Sequence, residues 1–451
     1  MRPGAAIPYP SGVSRALLTD LYELNMAASY LRRGMTAPAT FSLFIRRLPP
    51  RWGFFVASGL ESCLRYLEEL RFVEEDLAYM RETLGFDEEA VRALGDLRFT
   101  GEVRAVPEGR LVFEEEPLLE VTAPLPEAQI VEAFLLNQIT YQTAVASKAA
   151  RCRIADPEVR LVDFSFRRDH GGEAGIGVAR ATAIAGFDGT SNVEAARLLG
   201  LQATGTMAHS YIEAFGSEID AFRAYAEDFP QRVVLLVDTY DTPRGVAKAI
   251  QVAKEVRERG TSIAGIRLDS GDLGALARDA RRALDDAGLE EVQIFASGGL
   301  DEDAIAELAG APIDAYGVGT KVGVAEDAPA PDSVYKLVEY DGRPVAKLSV
   351  AKTTLPGRKQ VFRGTTHDVI GLADEEAPPG TEPLLQEVMS EGRRTSEDGW
   401  AEARDRFDRE LAGLPDALRA LDPERHRVEH SPALSALAEQ VRTRIREREL
   451  R

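Results

Sequence analysis

Short apolar runs alternate with amphipathic stretches through the middle of the chain, over residues 158–325. The runs are rich in Val, Ile, Leu and Phe and are bounded by turn residues, which predicts buried strands. The stretches between them have helical periodicity. Strands that alternate with helices indicate a parallel sheet. We therefore expect an α/β fold, a (β/α) barrel. Seven strand candidates stand where a regular barrel has eight, so either one strand escapes the pattern or the barrel is irregular.

A polar cluster follows each apolar run. The pairs are Leu161–Phe164 with Ser165–Arg168, Ala185–Phe187 with Asp188–Asn192, Thr204–Ala208 with His209–Ser210, Val233–Val237 with Asp238–Asp241, Ile263–Ile266 with Arg267–Asp272, Val292–Phe295 with Ala296–Gly299, and Ile313–Tyr316 with Gly317–Lys321. In parallel barrels the chemistry lies at the carboxyl ends of the strands. Clusters of Arg, Asp, His, Ser and Gly at these ends predict an active site that binds phosphate.

The two ends of the chain have a different pattern, which predicts further domains. Helices are expected at 16–33, 56–71 and 74–84, a strand at Phe41–Ile45, short antiparallel strands across 99–122 and a buried helix at 127–152. The β pattern returns at 333–364, including a run at Ala346–Val350, and an acidic connection leads to helices from about 397. We predict a split β-rich α+β capping domain (1–125 with 333–365), the barrel with its entry helix (126–332), and a C-terminal linker with helices (366–451).

Composition and charge narrow the class of protein. The chain has 451 residues and a net charge of −20, which argues against a general nucleic-acid or anionic-membrane partner. Cys63 and Cys152 are too few for a disulfide framework, so a reducing cytoplasm is the expected location. No run approaches the length of a membrane span. Because a basic pocket can exist in an acidic protein, an anionic substrate remains possible.

Two glycine-containing turns are the candidates for phosphate binding. Ser297, Gly298 and Gly299 follow one predicted strand, and Gly319 with Thr320 follows the next. Glycines let backbone N–H groups approach an anion, and barrels often bind phosphate in the loops after their last two strands. The alternative is a pair of tight strand-to-helix turns without a ligand.

Charged residues at the other strand ends suggest the remaining chemistry. His209 ends a small-residue run, and Asp238 could hold its second ring nitrogen, which would make the imidazole a better nucleophile or base. The alternative for His209 is a structural role, and His426 and His430 are assigned to a polar tail. Arg267 and Asp269 share a face of one strand, which suits a substrate with an acid group and hydroxyls, or else forms a simple ion pair.

Two weaker signals concern a metal and a flat ligand. Asp269 and Asp272 are candidate ligands for Mg²⁺, which prefers carboxylates together with substrate phosphate. Phe164 and Phe166 lie just before Arg167, and an aromatic ring with a guanidinium can sandwich a flat ring. Phenylalanine in a strand is more often part of the core.

The ordered set of motifs resembles nicotinate phosphoribosyltransferase. The motifs are Leu18–Leu24 (LTDLYEL), Gly186–Asn192 (GFDGTSN), Gly205–Ser210 (GTMAHS), Val237–Asp241 (VDTYD) and Arg267–Asp272 (RLDSGD). The resemblance covers about residues 16–365 and implies a type II phosphoribosyltransferase that acts as a homodimer with shared active sites. Its members join nicotinate to phosphoribosyl pyrophosphate, with ATP hydrolysis and Mg²⁺ and without a tightly bound organic cofactor.

The resemblance also implies roles for single residues. His209 matches the histidine that ATP phosphorylates, Asp238 its carboxylate partner, Arg267 the arginine near the pyridine carboxylate, and Asp269 the carboxylate at the ribose hydroxyls. Phe164 and Tyr22 of a partner subunit match the rings that sandwich the base, with Arg167 beside them. Gly299, Gly319 and Thr320 match the 5′-phosphate loops, and Arg46 or Arg47, Lys347 and Lys352 the basic groups for pyrophosphate or ATP.

Alternatives within and outside this family remain. Nicotinamide phosphoribosyltransferase performs the same chemistry on the neutral amide, quinolinate phosphoribosyltransferase is usually shorter, and an inactive relative could act as a binding protein. Amide-using relatives carry an aspartate where this chain has Ser191. A neutral hydroxyl at this position favours the anion nicotinate, although Ser191 could instead cap the following helix.

Overall fold

A computed structural model describes residues 14–231, 233–348, 354–395 and 397–449. The chain forms two compact units. The first combines Met1–Ser147 with Asp327–Arg451, and the second is the intervening Lys148–Glu326. The second unit therefore contains all of the predicted strand ends, whereas the first is built from both ends of the chain.

The amino-terminal part of the first unit alternates helices with short strands. In chain order the elements are α1 Leu21–Arg32, β1 Pro38–Ile45, β2 Phe55–Val56, α2 Leu60–Glu69, α3 Glu74–Glu82, α4 Glu88–Gly95, β3 Glu102–Ala105, β4 Leu111–Val112, β5 Pro117–Pro124, α5 Leu125–Ile130 and α6 Glu132–Ala155. The first three predicted helices are confirmed with tighter bounds. The helix predicted at 127–152 is interrupted at Val131, which separates α5 from α6.

The second unit contains the strand–helix alternation. Its elements are β6 Arg160–Asp163, a 3₁₀ turn at Phe166–Arg168, α7 Gly172–Ile184, β7 Gly189–Thr190, α8 Val193–Leu199, α9 His209–Glu213, α10 Glu218–Asp228, β8 Val234–Leu236, α11 Thr242–Glu258, β9 Gly265–Leu268, α12 Leu273–Asp286, β10 Gln293–Ser297, α13 Glu302–Leu308, β11 Ala315–Val318 and α14 Thr320–Gly323. Within the described residues these strands form one six-stranded sheet in the order β7-β6-β11-β10-β9-β8. All of its pairings are parallel, so the carboxyl ends of the strands meet at one edge.

Two of the seven predicted strands are wrong. Ala185–Phe187 is the buried turn that follows α7, and the strand begins later, at Gly189. A short apolar run is compatible with a buried helix end as well as with a strand. Thr204–Ala208 makes no ladder; only the preceding Ala203 forms an isolated parallel bridge with Thr190. The observed architecture is a mixed α/β fold with a parallel sheet.

The carboxyl-terminal part of the first unit carries more strands than its sequence indicates. Its elements are β12 Ser333–Tyr340, β13 Arg343–Pro344, β14 Lys359–Arg363, β15 Asp368–Leu372, β16 Glu382–Pro383, β17 Gln386–Ser390, β18 Arg393–Arg394, α15 Trp400–Gly413, α16 Asp416–Arg419, β19 Val428–His430 and α17 Pro432–Glu449. The predicted connection after residue 365 thus contains β15–β18. Residues 346–348 are not in a strand, and the rest of the run predicted at Ala346–Val350 lies outside the described residues.

Strands from both ends of the chain share the sheets of the first unit. β1 pairs antiparallel with β5 on one side and with β12 on the other. In the described part of the chain the order is β13-β12-β1-β5-β3-β17-β18, beside a four-stranded sheet (β16-β14-β15-β19) and the pair β2-β4. Trp52, Phe55 and Tyr66 are among the large side chains buried against these elements.

The described residues contain no helix that is long and apolar enough to cross a membrane. Cys63 and Cys152 are both buried and unpaired with each other.

Candidate active site

A cavity of about 400 Å³ lies in the second unit, against the parallel sheet. Its lining includes Phe164, Ser191 and Arg267, together with Thr206 and Gly317. Three residues that the sequence places at separate strand ends are therefore brought to one cavity. Together they offer an aromatic ring, a hydroxyl and a guanidinium to a small flat ligand.

The Phe164 ring occupies a space that a glycine leaves open. Phe164 directly follows β6, and its backbone N–H donates to the carbonyl of Val318 at 2.8 Å. A Cβ atom at Gly317, on the neighbouring strand β11, would lie 2.5 Å from the ring. A larger residue at Gly317 would consequently displace the phenylalanine.

Arg267 lines the cavity and has one bonded and one unpartnered guanidinium nitrogen. Its Nη1 donates to Thr206 Oγ1 at 2.7 Å, whereas the buried Nε has no partner among the described residues. Burial lowers the pKa of the guanidinium, and the charges of Asp269 and Asp238 oppose that shift. A guanidinium in the wall of a cavity suits a ligand carboxylate.

Ser191 faces the cavity and does not cap the next helix. Asn192 holds the cap position of α8, and its side chain accepts from the N–H of Ala195 at 3.1 Å. The backbone N–H of Ser191 donates to the carbonyl of Asp163 at 2.8 Å. The capping alternative for Ser191 is therefore wrong, and its hydroxyl belongs to the cavity wall.

His209 begins α9 at the carboxyl edge of the sheet. Its Nδ1 lies 3.2 Å from Thr239 Oγ1, and its Nε2 lies 3.8 Å from Asp269 Oδ2. The side chain is 41% exposed, so a solute can reach the ring. The predicted pairing of His209 with Asp238 is not the arrangement that the structure shows, because Thr239, one residue later, takes that place.

Asp238 instead holds the loop after β9. Its Oδ2 accepts from the N–H of Asp269 at 3.0 Å and from Ser270 Oγ at 2.6 Å. Its Oδ1 is buried without a hydrogen-bond partner among the described residues. Asp238 thereby fixes the position of the Asp269 backbone.

Asp269 is also in contact with the predicted phosphate loop. Ser297 Oγ donates to Asp269 Oδ1. Gly298 has φ +99°, and a Cβ atom there would lie 2.1 Å from the carbonyl oxygen of Asp269, so only glycine fits. Gly299, with φ +68°, has open space on its Cβ side.

The other loop lies beside Phe164. Gly319 precedes the short helix α14, whose first residue is Thr320. A Cβ atom at Gly319 would lie 3.3 Å from the carbonyl oxygen of Phe164. Asp272, a candidate Mg²⁺ ligand, instead caps α12 by accepting from the N–H of Ala275 at 2.9 Å.

Arg167 and Tyr22 are accessible on their own units. Arg167 lies on the exposed 3₁₀ turn after Phe164. Tyr22 is 46% exposed on α1. Burial raises the pKa of its phenol, and the neighbouring charges of Glu132 and Glu23 raise it further.

The predicted basic groups belong to the first unit. Arg46 forms an ion pair with Asp332 at 2.9 Å, and Arg47 and Lys347 are exposed. Lys352 lies outside the described residues. The roles of these side chains in pyrophosphate or ATP binding stay predictions.

Several residues of the site were not selected from the sequence. Thr206, Thr239 and Ser270 bond Arg267, His209 and Asp238 respectively. Each stands within one of the quoted motifs, next to or near a selected charged residue. A hydroxyl residue beside a charged one at a strand end is the signal that identifies them.

Comparisons with known proteins identify the family to which the chain is similar. A family model described as the nicotinate phosphoribosyltransferase N-terminal domain matches residues 17–140, and the nicotinate phosphoribosyltransferase family model matches residues 159–369. Nicotinate phosphoribosyltransferase pncB2 of Mycobacterium tuberculosis is 48% identical over 419 residues, which cover 90% of this chain and 89% of the relative. The Bacillus subtilis nicotinate phosphoribosyltransferase is 45% identical over 80% of this chain and 77% of the relative.

A solved structure extends the similarity to three dimensions. The crystal structure of human nicotinic acid phosphoribosyltransferase superimposes with a TM-score of 0.85 and 31% identity, over 94% of this chain and 99% of the human chain. From the family models, the curated relatives and this superposition together, the chain belongs to the nicotinate phosphoribosyltransferase family.

Proposed function

We propose that this chain joins nicotinate to phosphoribosyl pyrophosphate, giving nicotinate mononucleotide and pyrophosphate, with ATP hydrolysis coupled through a phosphohistidine at His209. Family membership supports the transfer reaction and its place in NAD salvage. The observation that carries the assignment to this site is the cavity in which Arg267, Ser191 and Phe164 meet. A cation, a neutral donor and an aromatic face suit a flat ring that carries a carboxylate.

The transfer step needs positive charge to be stabilised at the ribose. As the C1′–O bond to pyrophosphate breaks, its electron pair leaves with pyrophosphate, and the nicotinate ring nitrogen forms the new bond to C1′. The sugar gains oxocarbenium character, which the Asp269 carboxylate can stabilise. The contacts of Asp269 with Ser297 and Gly298 support this role, because they join the carboxylate to the loop assigned to the 5′-phosphate.

The contacts of His209 favour Nε2 as the phosphorylated atom. If Nδ1 carries the proton and donates to Thr239, the Nε2 lone pair is available on the side of Asp269. Nε2 would attack the γ-phosphorus of ATP, and the bond to ADP would break. After the transfer, water would attack the phosphorus and the Nε2–P bond would break, releasing inorganic phosphate and the free imidazole of His209. This cycle makes the enzyme ligase-type and ATP-dependent.

Mg²⁺ is expected to enter with phosphoribosyl pyrophosphate and ATP. The described residues contain no group of three or more His, Cys, Asp or Glu side chains that would hold a metal by themselves. The residues present instead fit a cation that is held mainly by substrate phosphates, as Mg²⁺ commonly is. Asp269, which is 34% exposed, is the carboxylate that fits it, whereas the unpartnered Oδ1 of Asp238 is buried. When bound, Mg²⁺ would neutralise charge on the leaving pyrophosphate.

The proposal extends to the fold and the assembly. We expect the parallel sheet to curve as an irregular barrel, and two copies of the chain to form a homodimer in which Tyr22 of one copy faces Phe164 of the other. A mixture of the inactive variants Tyr22→Ala and Asp269→Ala should then regain activity, because one hybrid site carries neither substitution. A fully active monomer by light scattering would contradict the shared site.

The test of function measures mononucleotide formation with nicotinate, nicotinamide and quinolinate, each with and without ATP. Nicotinate should be preferred and ATP should stimulate the reaction. Preference for nicotinamide would favour the amide-using relative, and no product from any base would favour a binding protein.

The test of the phosphohistidine uses ATP and Mg²⁺ without the other substrates. Acid-labile phosphate should appear on the protein and be lost in His209→Ala, which should keep slow, ATP-independent transfer. Full ATP stimulation in His209→Ala would overturn the role. His170→Ala, an exposed histidine in the same unit, is the matched control.

A further inference from the structure

One buried carboxylate joins the two segments that carry Phe164 and Ser191. Asp163 is the last residue of β6 and is 0% exposed. Its Oδ1 accepts from the N–H of Ser165 at 2.9 Å and from Ser165 Oγ at 2.5 Å. Its Oδ2 accepts from Thr190 Oγ1 at 2.7 Å. Both carboxylate oxygens are therefore used inside the protein.

The bonds of Asp163 reach each side of the cavity wall. Ser165 lies between Phe164 and the 3₁₀ turn that carries Arg167, and Thr190 directly precedes Ser191. The backbone carbonyl of Asp163 accepts from the N–H of Ser191 at 2.8 Å, so its side chain and main chain hold two consecutive residues, Thr190 and Ser191. Thr190 Oγ1 also accepts from the N–H of Asn192 at 3.0 Å, which continues the connection to the start of α8.

Asp163 does not touch the cavity itself. Phe164 and Ser191 line the cavity, whereas the Asp163 side chain lies behind them. Burial raises the pKa of the Asp163 carboxyl, and the bonds from Ser165 and Thr190 oppose that shift. Burying a carboxylate costs desolvation free energy. The donors of Ser165 and Thr190 offset this cost when they are held in place to bond Asp163.

We propose that Asp163 is the positioning residue of the nicotinate pocket, setting the separation of the Phe164 ring from the Ser191 hydroxyl through its bonds to Ser165 and Thr190. This inference rests on the proposed function and deepens it. Neither loop assigned to the 5′-phosphate, Ser297–Gly299 or Gly319–Thr320, makes any of these bonds, although the second lies beside Phe164. The residue should therefore affect the binding of nicotinate and leave that of phosphoribosyl pyrophosphate unchanged.

Asp163→Asn is the first test. The amide keeps the shape of the side chain, but it replaces one acceptor by an NH₂ group that faces the hydroxyls or N–H of Ser165 and Thr190. We expect the KM for nicotinate to rise about 10- to 100-fold, the range given by losing hydrogen bonds to a buried charge. The KM for phosphoribosyl pyrophosphate and the yield of phosphohistidine with ATP should stay within twofold of wild type.

Two further variants separate positioning from a general loss of stability. Thr190→Val keeps the shape and removes the donor to Asp163, so it should raise the nicotinate KM, whereas Thr190→Ser keeps the hydroxyl and should restore it. Glu218→Gln is the matched control. Glu218, on α10, is also a buried carboxylate of this unit and accepts a hydrogen bond from Lys248 at 2.8 Å. Glu218→Gln should lower the melting temperature without changing the nicotinate KM.

The outcomes separate this inference from the function on which it rests. If wild type is active and the nicotinate KM is unchanged in Asp163→Asn and Thr190→Val, the positioning role is wrong and the function stands. Equal rises in both substrate KM values would also overturn it, as would rises in Glu218→Gln. If Asp163→Asn does not fold, the Thr190 pair decides. A wild type without transferase activity would refute the proposed function, and this inference with it.

Discussion

Two clusters of the same residue types differ in what they leave accessible. The first cluster lies at the sheet edge of the second unit. Arg267 is on β9, Asp269 directly follows this strand, and the His209 ring lies 3.8 Å from Asp269. The His209 and Asp269 side chains are 41% and 34% exposed, and the Arg267 Nε has no partner among the described residues. The His209 and Asp269 side chains of this cluster therefore remain accessible to solvent.

The second cluster lies in the first unit and is enclosed. His426 lies 3.3 Å from Asp368, and their side chains are 8% and 0% exposed. Arg363 bonds Asp368 at 2.7 Å and lies 3.6 Å from Glu116. The His426 ring stacks on Phe113 with ring centroids 4.0 Å apart. The assignment of His426 to a polar tail is wrong.

The difference shows that residue type alone does not separate a reactive site from a structural network. Buried charges that neutralise one another are expensive to break but offer nothing to a substrate. Groups with free atoms and solvent access can bind one. Substitutions in the two clusters should consequently change different measurements.

The largest expected effect is that of Asp269→Asn on catalysis. Removing the charge that faces the developing sugar cation should lower kcat on the order of a thousandfold. The urea midpoint should change little, because the side chain is partly exposed. Initial rates and urea denaturation curves test the two expectations together. Full activity of Asp269→Asn would contradict the catalytic role, and loss of the folded state would contradict the proposed difference from Asp368.

Asp368→Ala should produce the opposite pattern. It leaves Arg363 and His426 buried with one fewer counter-charge, which typically costs about 3–5 kcal/mol in the free energy of unfolding. Urea denaturation measures the loss, and activity per folded molecule should be retained. Asp279→Ala, whose partner is the exposed Arg282, is the control and should cost less than about 1 kcal/mol.

Ser191→Asp probes the accessible region by changing its charge. A carboxylate in the cavity wall would repel the nicotinate carboxylate and accept from an amide NH₂, so the ratio of kcat/KM for nicotinate to that for nicotinamide should fall on the order of a hundredfold. Ser191→Asn adds similar bulk without charge and should change the ratio far less. An unchanged ratio in Ser191→Asp would exclude Ser191 from base selection.

The smallest expected effects are changes in stability with pH. The first concerns Asp169, beside Ser165. Burial, and then the charge of Asp163, raise the pKa of Asp169 to about 6, from a usual value of 3.8. Because the folded state holds this proton more tightly, the contribution to stability is complete below about pH 4 and is lost as the pH rises through 6. Asp169→Asn should flatten that part of the melting-temperature profile. A parallel profile in wild type and variant would contradict the shift.

Asp368 should respond to pH with the opposite sign. Burial alone would raise the pKa of Asp368, but the His426 imidazole 3.3 Å away and the charge of Arg363 bring it below its usual value. Its contribution to stability is therefore lost as the pH falls. Melting curves of Asp368→Asn below pH 4 should show less acid sensitivity than wild type, relative to their values at pH 7.

Local patterns in the sequence were enough to place most of the chemistry. Short apolar runs predicted β6, β8, β9, β10 and β11, since side-chain periodicity is a local property. A parallel sheet then brings its strand ends to one edge, so Phe164, Arg267 and Asp269 could be assigned to one region. The ordered motifs were sufficient to identify the family.

The tertiary structure alone decided which side chains contact one another. Three details depend on contacts or orientations that no local period encodes. Thr239 and not Asp238 bonds His209, Asn192 and not Ser191 caps α8, and His426 is buried. Asp163 is the clearest case. Its sequence position predicts only the end of a buried strand, and its partner Thr190 lies 27 residues away. Which hydroxyl meets a buried carboxylate is determined by strand register and by the cost of an unpaired buried charge.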